Sequence, residues 1–403
     1  MAVKRRVAVL FGGRAPEHDV SIVSGLQALG AIDTGAYEAF PVYLSMQGEW
    51  FVGDALRDRA NYIPNDEIRR GLTQVTLDAT SDGEGLLVPR KRNLFGGAKP
   101  VAFDVALLAF HGNQGEDGQL QGLFEMAGVP YTGMRTLASA AFMDKTVTKR
   151  LLSGQDIPQL DCVALYRPAD GVMMSGAALA EVVGNAKLPA CVKPCHLGSS
   201  IGVAKVDDME QLREVLPSIF RLDPVAIVEP FVTNLVEYNV SVSRFGGEIR
   251  TSAIERPKRA SELLDFKEKY MSGGGGKKGG TKSPGAASEG MLSLTRDINP
   301  DIPAELEANI RKWASAAFEA VGGTGAPRID FLGEEETGEI WLNEVNPCPG
   351  SFGYFLWEAA DPPILFTELL SKLIEEAVEE FRNSRLPADP TPKDARLFQR
   401  PYE

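Results

Sequence analysis

The sequence predicts an α/β protein of two or three domains that begins with a largely parallel sheet. Short apolar runs, "RVAVLFGG", "AFPVYLS" and "VALLAFHG", alternate with segments of helical spacing such as "DVSIVSGLQALGA". Polar, glycine-bearing stretches, "FGGRAPEHD" and "HGNQGEDG", stand at the ends of two of those runs, where parallel sheets gather ligands. The length, 403 residues, exceeds what one hydrophobic core serves.

Each element follows from a local pattern. Buried strands are read at "RVAVLFGG", "AFPVYLS" and "VALLAFHG", and "QLQGLFEMAGVPYTG" is a helix that stops near Gly128 before a short strand. The pattern changes at about residue 136. "TLASAAFMDKTVTKRLLSG" reads as one helix ended by Gly154, and "PACVKPCHLGSSIGVAKV" as two strands around a glycine-serine turn. "DMEQLREVLPSIF" is a helix and "VAIVEPFV" a strand. "RIDFL" and "IWLNEVN" flank the turn "GEEETGEIW" and predict a hairpin. "MSGGGGKKGGTKSPGAASEG" is too rich in Gly, Ser and Lys for a packed core and is either a passive linker or a lid over a site. The last helix, "LFTELLSKLIEEAVEEF", turns Leu369, Leu370, Leu373 and Ile374 inward.

Composition narrows the function. Hydrophobic residues make up 44% and charged residues 24%, as in ordinary globular proteins. A net charge of -13 argues against nucleic acid as partner, because such binding lives on Lys and Arg neutralising phosphates. No apolar stretch approaches the roughly 20 residues of a membrane span. The run Val7–Gly12 is shorter than a signal h-region, and the cysteines Cys162, Cys191, Cys195 and Cys348 form no CxxC pair. The expected compartment is the cytoplasm, with no membrane partner.

Several motifs compete. "GGGKKG" matches GxGxxG but lacks the strand before and helix after that a dinucleotide site needs, and no GxxxxGK[ST] occurs. "GSSIG" matches GxSxG, with Ser200 as a hydrolase nucleophile. That fold places its histidine after the serine, whereas His18, His111 and His196 all precede Ser200. Read instead as a hairpin, "VKPCHLGSSIGVAKV" puts Lys193 before a turn whose Gly198, Ser199 and Ser200 let amides and hydroxyls approach an anion. On the last strand Glu344 and Asn346 share a face, as do Arg328 and Asp330 on its partner. Asp330, Glu344 and Asn346 are then either a solvated face or a set of hard oxygen ligands for Mg²⁺. With Lys145 and Lys269 nearby, the set suits phosphoryl transfer.

Seven blocks in order carry a resemblance: "VLFGGRAPEHDVSIVSG", "HGNQGEDGQLQGLFEMAGVPYTG", "MDKTVTKRLL", "VKPCHLGSSIGVAKV", "VEPFV", "RIDFL" and "NEVNPCPG". The chain resembles the D-alanine–D-alanine ligases over nearly its full length. The resemblance implies an N-terminal, Rossmann-like preATP-grasp domain over 1–135 that binds the first amino acid. A two-part ATP-grasp domain then covers 136–233 and 234–403, with a lid at 271–290. It implies Mg-ATP with two Mg²⁺ ions (Mn²⁺ as substitute), D-alanine as substrate, an acylphosphate on the path to D-alanyl-D-alanine for peptidoglycan, and a homodimer.

The same resemblance assigns roles. Glu17 holds the first substrate's ammonium, and His111 stands near its carboxylate. Lys145, Lys193, Ser199 and Ser200 meet ATP phosphates, and Ser200 also belongs with the catalytic residues. Glu229 and the backbone to Val232 meet adenine, and Glu237 meets ribose. Lys269 reaches the transferred phosphate, and Tyr270 docks the lid. Arg328 and the Gly350 amide stabilise the oxyanion. Asp330, Glu344 and Asn346 hold the metals. The chain departs from the family pattern at Pro347, which replaces a threonine, in the 271–290 loop, which is longer and richer in glycine, and after Gly350. There "SFGYFLW" puts Phe355 or its neighbour where a serine helps hold the second substrate's carboxylate, a hydroxyl worth about 1.5–3 kcal/mol when it bonds a buried charge. Two alternatives follow: the same chemistry with another amino or hydroxy acid as second substrate, and a noncatalytic ATP-binding protein.

Overall fold

The computed structural model describes residues 3–62, 71–80, 84–90, 98–184, 188–258 and 296–384. Its first sheet is built from β1 (Arg5–Gly12), β2 (Tyr37–Leu44), β3 (Trp50–Val52), β4 (Thr73–Leu77), β5 (Gly85–Pro89), β6 (Val101–Phe103) and β7 (Val105–Leu108), in the order β6-β5-β4-β3-β2-β1-β7. Helix α1 (His18–Ala31) connects β1 to β2, and α2 (Gln119–Met126) follows β7. Val7 to Phe11 are at most 1% exposed, as a continuous apolar run between two covering layers requires.

The expected largely parallel sheet is mixed. β1 runs parallel to β2 and to β7, whereas β3 to β6 extend the sheet antiparallel. At β2–β3, where the sheet turns antiparallel, the cause is connection length. Leu44 returns to Trp50 through a tight turn with Gly48 at φ 80°, and a parallel crossover needs about a dozen residues or more.

Next come α3 (Thr136–Met143), α4 (Lys145–Leu152), β8 (Val163–Tyr166), α5 (Gly176–Val183), β9 (Ala190–Pro194), β10 (Ala204–Val206), α6 (Met209–Leu222) and β11 (Val225–Pro230). The sheet β10-β9-β11-β8 is antiparallel throughout. The single helix expected across 136–154 is two. Asp144 takes an extended conformation (φ -91°, ψ 108°), and its carboxylate accepts from the amides of Thr146 and Val147. Aspartate is a weak helix-interior residue and a strong N-cap, so the chain breaks there and restarts.

The third sheet contains β12 (Leu235–Phe245), β13 (Glu248–Pro257), β14 (Arg296–Ile298), β15 (Arg328–Glu334) and β16 (Ile340–Asn346), ordered β14-β13-β12-β15-β16 and antiparallel. Helix α7 (Ala304–Glu319) packs Ile310, Ala314 and Phe318 against Val240, Ile329 and Phe331 on one face. Register places Glu255, Asn239, Asp330 and Glu344 side by side across adjacent strands, a polar row on one face of the sheet.

After β16 a 3-10 turn at Gly350–Gly353 leads to α8 (Tyr354–Glu358) and α9 (Phe366–Ser384). Leu369, Leu370, Leu373 and Ile374 are buried, as their spacing predicts. They pack on Val7, Val9, Phe11, Val105 and Leu107, so the last helix of the chain covers the first sheet. Among the described residues no helix is long and apolar enough to cross a membrane.

Leu370 is fully buried in this returning helix, whereas Leu365 just before it is 63% exposed. Leu370→Ala is expected to lower the unfolding free energy by about 2–5 kcal/mol, and Leu365→Ala by less than about 0.5 kcal/mol. Urea titration at unchanged m-value measures both.

Candidate active site

The β15–β16 hairpin sets the chemistry. Arg328 stands opposite Asn346, and Asp330 opposite Glu344. Two carboxylates directly opposed on one face repel unless cations lie beside them. Both have one. The Arg328 guanidinium grips Asp330 with two hydrogen bonds, Nε to Oδ1 at 2.7 Å and Nη2 to Oδ2 at 2.6 Å. Lys145 Nζ lies 3.2 Å from Glu344 Oε2. The Asn346 amide donates to Asp330 Oδ2 at 3.0 Å, which brings the three expected metal residues together. Their donors are hard oxygens around concentrated negative charge, and that set fits Mg²⁺.

A second charge cluster lies on the central sheet. Glu229 of β11 is 2% exposed and sits between Lys149 Nζ at 2.8 Å and Lys193 Nζ at 2.7 Å. Burial alone pushes a carboxyl up, but the two ammonium groups outweigh it and hold Glu229 below its ordinary value. Burial likewise pushes the Lys193 amine down, and Glu229 outweighs that and raises it. Lys193 also donates to Asn343 Oδ1 at 2.8 Å, while Lys145 donates to the Leu197 carbonyl at 2.8 Å. With the Lys145–Glu344 contact, these bonds join the central sheet and its hairpin to β16. Asn343 is available because the β15–β16 pairing shifts register after Asp330, and such a bulge re-aims a side chain. Glu237 stands two residues before Asn239 on β12 and so faces the same side as the polar row, while Val232 follows the end of β11.

The turn between β9 and β10 holds Ser199 and Ser200, both in the left-handed region at φ 58°. Since β10 follows it, the strand–turn–helix setting of a hydrolase nucleophile is absent at Ser200. Ser199 instead hydrogen-bonds Glu17 and lowers its carboxyl, although burial dominates and leaves Glu17 raised.

Glu17 stands at the start of α1, 4% exposed, against Gly112. A Cβ on Gly112, which has φ 71°, would come within 2.3 Å of Glu17 Oε2, so glycine is required for this approach. Next to it is His111. Its Nδ1 faces the Cys348 carbonyl at 2.7 Å and therefore carries the proton. Its Nε2 then accepts from Ser24 Oγ at 2.7 Å, and Ser24 Oγ accepts from the Ser351 amide at 2.9 Å. Burial lowers His111 to about 4, so the ring is neutral at pH 7. Glu116 completes the corner, accepting from the Gly112 amide at 2.6 Å and the Cys348 amide at 2.7 Å. Proline has no N–H, so Cys348 supplies the one amide donor of Pro347-Cys348-Pro349, and Glu116 takes it.

Matches with known proteins follow this geometry. Residues 6–134 match the D-ala D-ala ligase N-terminus family, and residues 151–375 match the D-ala D-ala ligase C-terminus family. The chain belongs to the D-alanine–D-alanine ligase family. It is 32% identical over 379 residues to the D-alanine–D-alanine ligase of Thermosipho africanus, covering 94% of this chain and 95% of the relative. The solved VanG D-Ala:D-Ser ligase of Enterococcus faecalis superposes with a TM-score of 0.71 at 27% identity, over 93% of this chain and all 100% of that one. The D-alanine–D-alanine ligase of Coxiella burnetii shares the fold with a TM-score of 0.75 at 23% identity, over 95% and 96% of the two chains. Family membership makes the chain an ATP-dependent carboxylate–amine ligase of the ATP-grasp fold.

Of the residues singled out from the sequence, Glu17, His111, Lys145, Lys193, Arg328, Asp330, Glu344 and Asn346 enter the contacts above. Gly350 opens the 3-10 turn that follows them. Lys269, Tyr270 and the lid 271–290 lie outside the described residues. Sequence reasoning missed Ser24, Glu116, Lys149 and Asn343. Lys149 follows Lys145 by one helical turn, a spacing that places both on one face. Ser24 and Asn343 give no local signal, because their partners come from distant elements, and Glu116 pairs locally with Gly112 but meets Cys348 only in the fold.

Burial raises Glu116 to about 8, well above the value of 4.5 it has when exposed. A carboxyl raised on folding costs nothing below its unfolded value, and its cost grows until the pH reaches the folded value. The stability of the wild type relative to Glu116→Gln is therefore expected to fall as pH rises from about 4.5 to about 8 and to level off above, as read from paired denaturation curves.

Proposed function

We propose that this protein joins two molecules of D-alanine through an acylphosphate, converting ATP to ADP and phosphate. The observation that carries this reading is the convergence of Asp330, Glu344 and Asn346 with Lys145 and, through Asn343, Lys193. It is phosphoryl-transfer equipment, and the buried Glu17–His111 corner is joined to it through Ser199 of the same hairpin.

The first D-alanine binds with its ammonium on Glu17. Desolvation raises that carboxyl, and an ammonium supplies the counter-charge that restores its ionised form. Neutral His111, expected near the substrate carboxylate, has both ring nitrogens engaged by the Cys348 carbonyl and Ser24, so it shapes this corner by holding those groups. Lys145 and Lys193 exchange carboxylate partners for ATP phosphates, with Ser199 and Ser200 beside them. Glu229 turns its side chain inward to two lysines, so the backbone from Glu229 to Val232 is the edge that meets adenine, with Glu237 on ribose. Asp330, Glu344 and Asn346 would hold Mg²⁺, which would supply positive charge against the phosphates. Arg328 and the Gly350 amide face the oxyanion that forms when the second amine attacks. The need for ATP and the free cysteines support a cytoplasmic setting for the reaction.

A second reading changes the acceptor. Phe355, where the family resemblance places a serine, lies under the Arg296 guanidinium at 4.8 Å, and the nearby Ser351 hydroxyl is bound to Gln27. Neither provides a free hydroxyl for an acceptor carboxylate, and a D-Ala:D-Ser ligase is among the structural relatives. An acceptor other than D-alanine fits this corner.

With Mg-ATP and D-alanine as sole amino acid, ADP release and D-alanyl-D-alanine by mass spectrometry are expected. Mixed dipeptide or depsipeptide from D-alanine plus D-serine or D-lactate at much higher turnover moves the assignment to the second reading. Arg328→Met is expected to lower kcat by about 10²–10³-fold with a small effect on KM, because it removes a donor used in the transition state.

A further inference from the structure

Outside the groups that meet substrate, His196 occupies an unusual position. Its Nδ1 lies 3.0 Å from Asp223 Oδ1, and its Nε2 lies 3.2 Å from Asp144 Oδ2. A carboxylate oxygen accepts at each nitrogen, so the ring carries both protons and is a cation. Both carboxylates push the imidazole up, to about 9. The two aspartates belong to different elements. Asp144 caps α4, and Asp223 caps the end of α6, where it also accepts from the His196 amide at 2.6 Å and the Val225 amide at 2.9 Å. Cys195 joins the cluster, its thiol donating to Asp144 Oδ1 at 3.2 Å. Cys, His and Asp are metal-ligating types, but here protons fill the cluster. Asp144 Oδ1 already accepts from two amides and a thiol, and both ring nitrogens are engaged.

On either side of this contact stand groups assigned above to ATP. Lys145 follows Asp144, and Leu197, whose carbonyl receives the Lys145 ammonium at 2.8 Å, follows His196. The Lys145 amide also reaches the Cys195 carbonyl at 3.4 Å. The junction of α3 with α4 and the base of the phosphate hairpin are thus closed on each other, and His196 is the charged pin. We infer that His196 is a positioning residue for nucleotide binding: as an imidazolium between Asp144 and Asp223 it holds the 195–200 hairpin and Lys145 in the geometry that receives the phosphates. This rests on the ATP-ligase reading of the same site. Without the pin, Asp144 and Asp223 retain charge without a shared partner, and the hairpin loses its register against α4.

The test compares His196→Gln, which bridges weakly and without charge, with His196→Arg, which restores a cation with two-sided hydrogen bonding. Full-length protein is assayed for D-alanine-dependent ADP release while ATP and D-alanine are varied separately, and Mg-ATP binding is measured by calorimetry. The expected result is a rise of roughly 10-fold or more in the KM and Kd for ATP in His196→Gln. The KM for D-alanine should stay within about 3-fold, and His196→Arg should return both ATP constants most of the way. Unchanged ATP constants in His196→Gln overturn the inference. So does an equal loss toward ATP and D-alanine in both variants, which marks general structural support. If His196→Gln fails to fold, a folded His196→Arg with near wild-type ATP constants supports the inference, and one with weakened ATP constants overturns it. A wild type that binds no Mg-ATP overturns the ligase reading itself, a result distinct from the others.

Discussion

The junction of β16 with the first sheet depends on one short set of hydrogen bonds, those that fasten Cys348 to the end of β7. The Cys348 amide goes to Glu116 and its carbonyl to His111, both at 2.7 Å. Glu116 and His111 belong to the loop after β7, whereas Cys348 leaves β16 on the third sheet. The contact therefore fixes where the donors of Asp330, Glu344 and Asn346 lie relative to Glu17. Flanking prolines make it directional, since neither can offer a competing amide. Apolar burial strengthens the same junction: Phe352, Trp357 and α9 pack into the core under β1 and β7.

Around this junction the chain handles its charge by pairing. Lys145, Lys149, Lys193 and Arg328 each have a carboxylate partner, and Glu229 serves two of the lysines. Buried charges without partners cost several kcal/mol, so this pairing lets four cations and their carboxylates stand close together in a partly buried site. The neutral state of His111 follows the same logic in reverse. It is buried, and among the described residues its recorded hydrogen-bond partners are the Cys348 carbonyl and Ser24 rather than a carboxylate.

The aromatic segment "SFGYFLW" has a structural use that its position after Gly350 did not suggest. Phe352 and Trp357 are core residues, Tyr354 stacks on Phe366 at 4.6 Å, and the Trp357 indole donates to Ser241. Ser351 and Phe352 both take left-handed backbone conformations, φ 49° and 60°, which non-glycine residues hold only when their surroundings fix them. Here Ser24, Gln27 and the core do so. Phe355 is the member turned to Arg296, and that contact concentrates the acceptor question on one side chain.

Strand runs, the 328–346 hairpin, the phosphate turn and the apolar face of the last helix were legible in the sequence by itself, because each depends on period and on neighbours within a few residues. Lys145, Lys193 and the three oxygen donors stood out by residue type and spacing, and Glu17, His111 and Arg328 through the family resemblance. The helix break at Asp144 was a local competition in which capping outweighed continuation. Tertiary structure decided what needs distant partners. Connection length made the first sheet mixed, and the end of the chain returned to cover its beginning. A bulge aimed Asn343 at Lys193, and folding brought Ser24, Glu116 and Cys348 into one hydrogen-bonded corner. A residue's type and spacing state what it can bond, but its partner is set by where the rest of the chain packs.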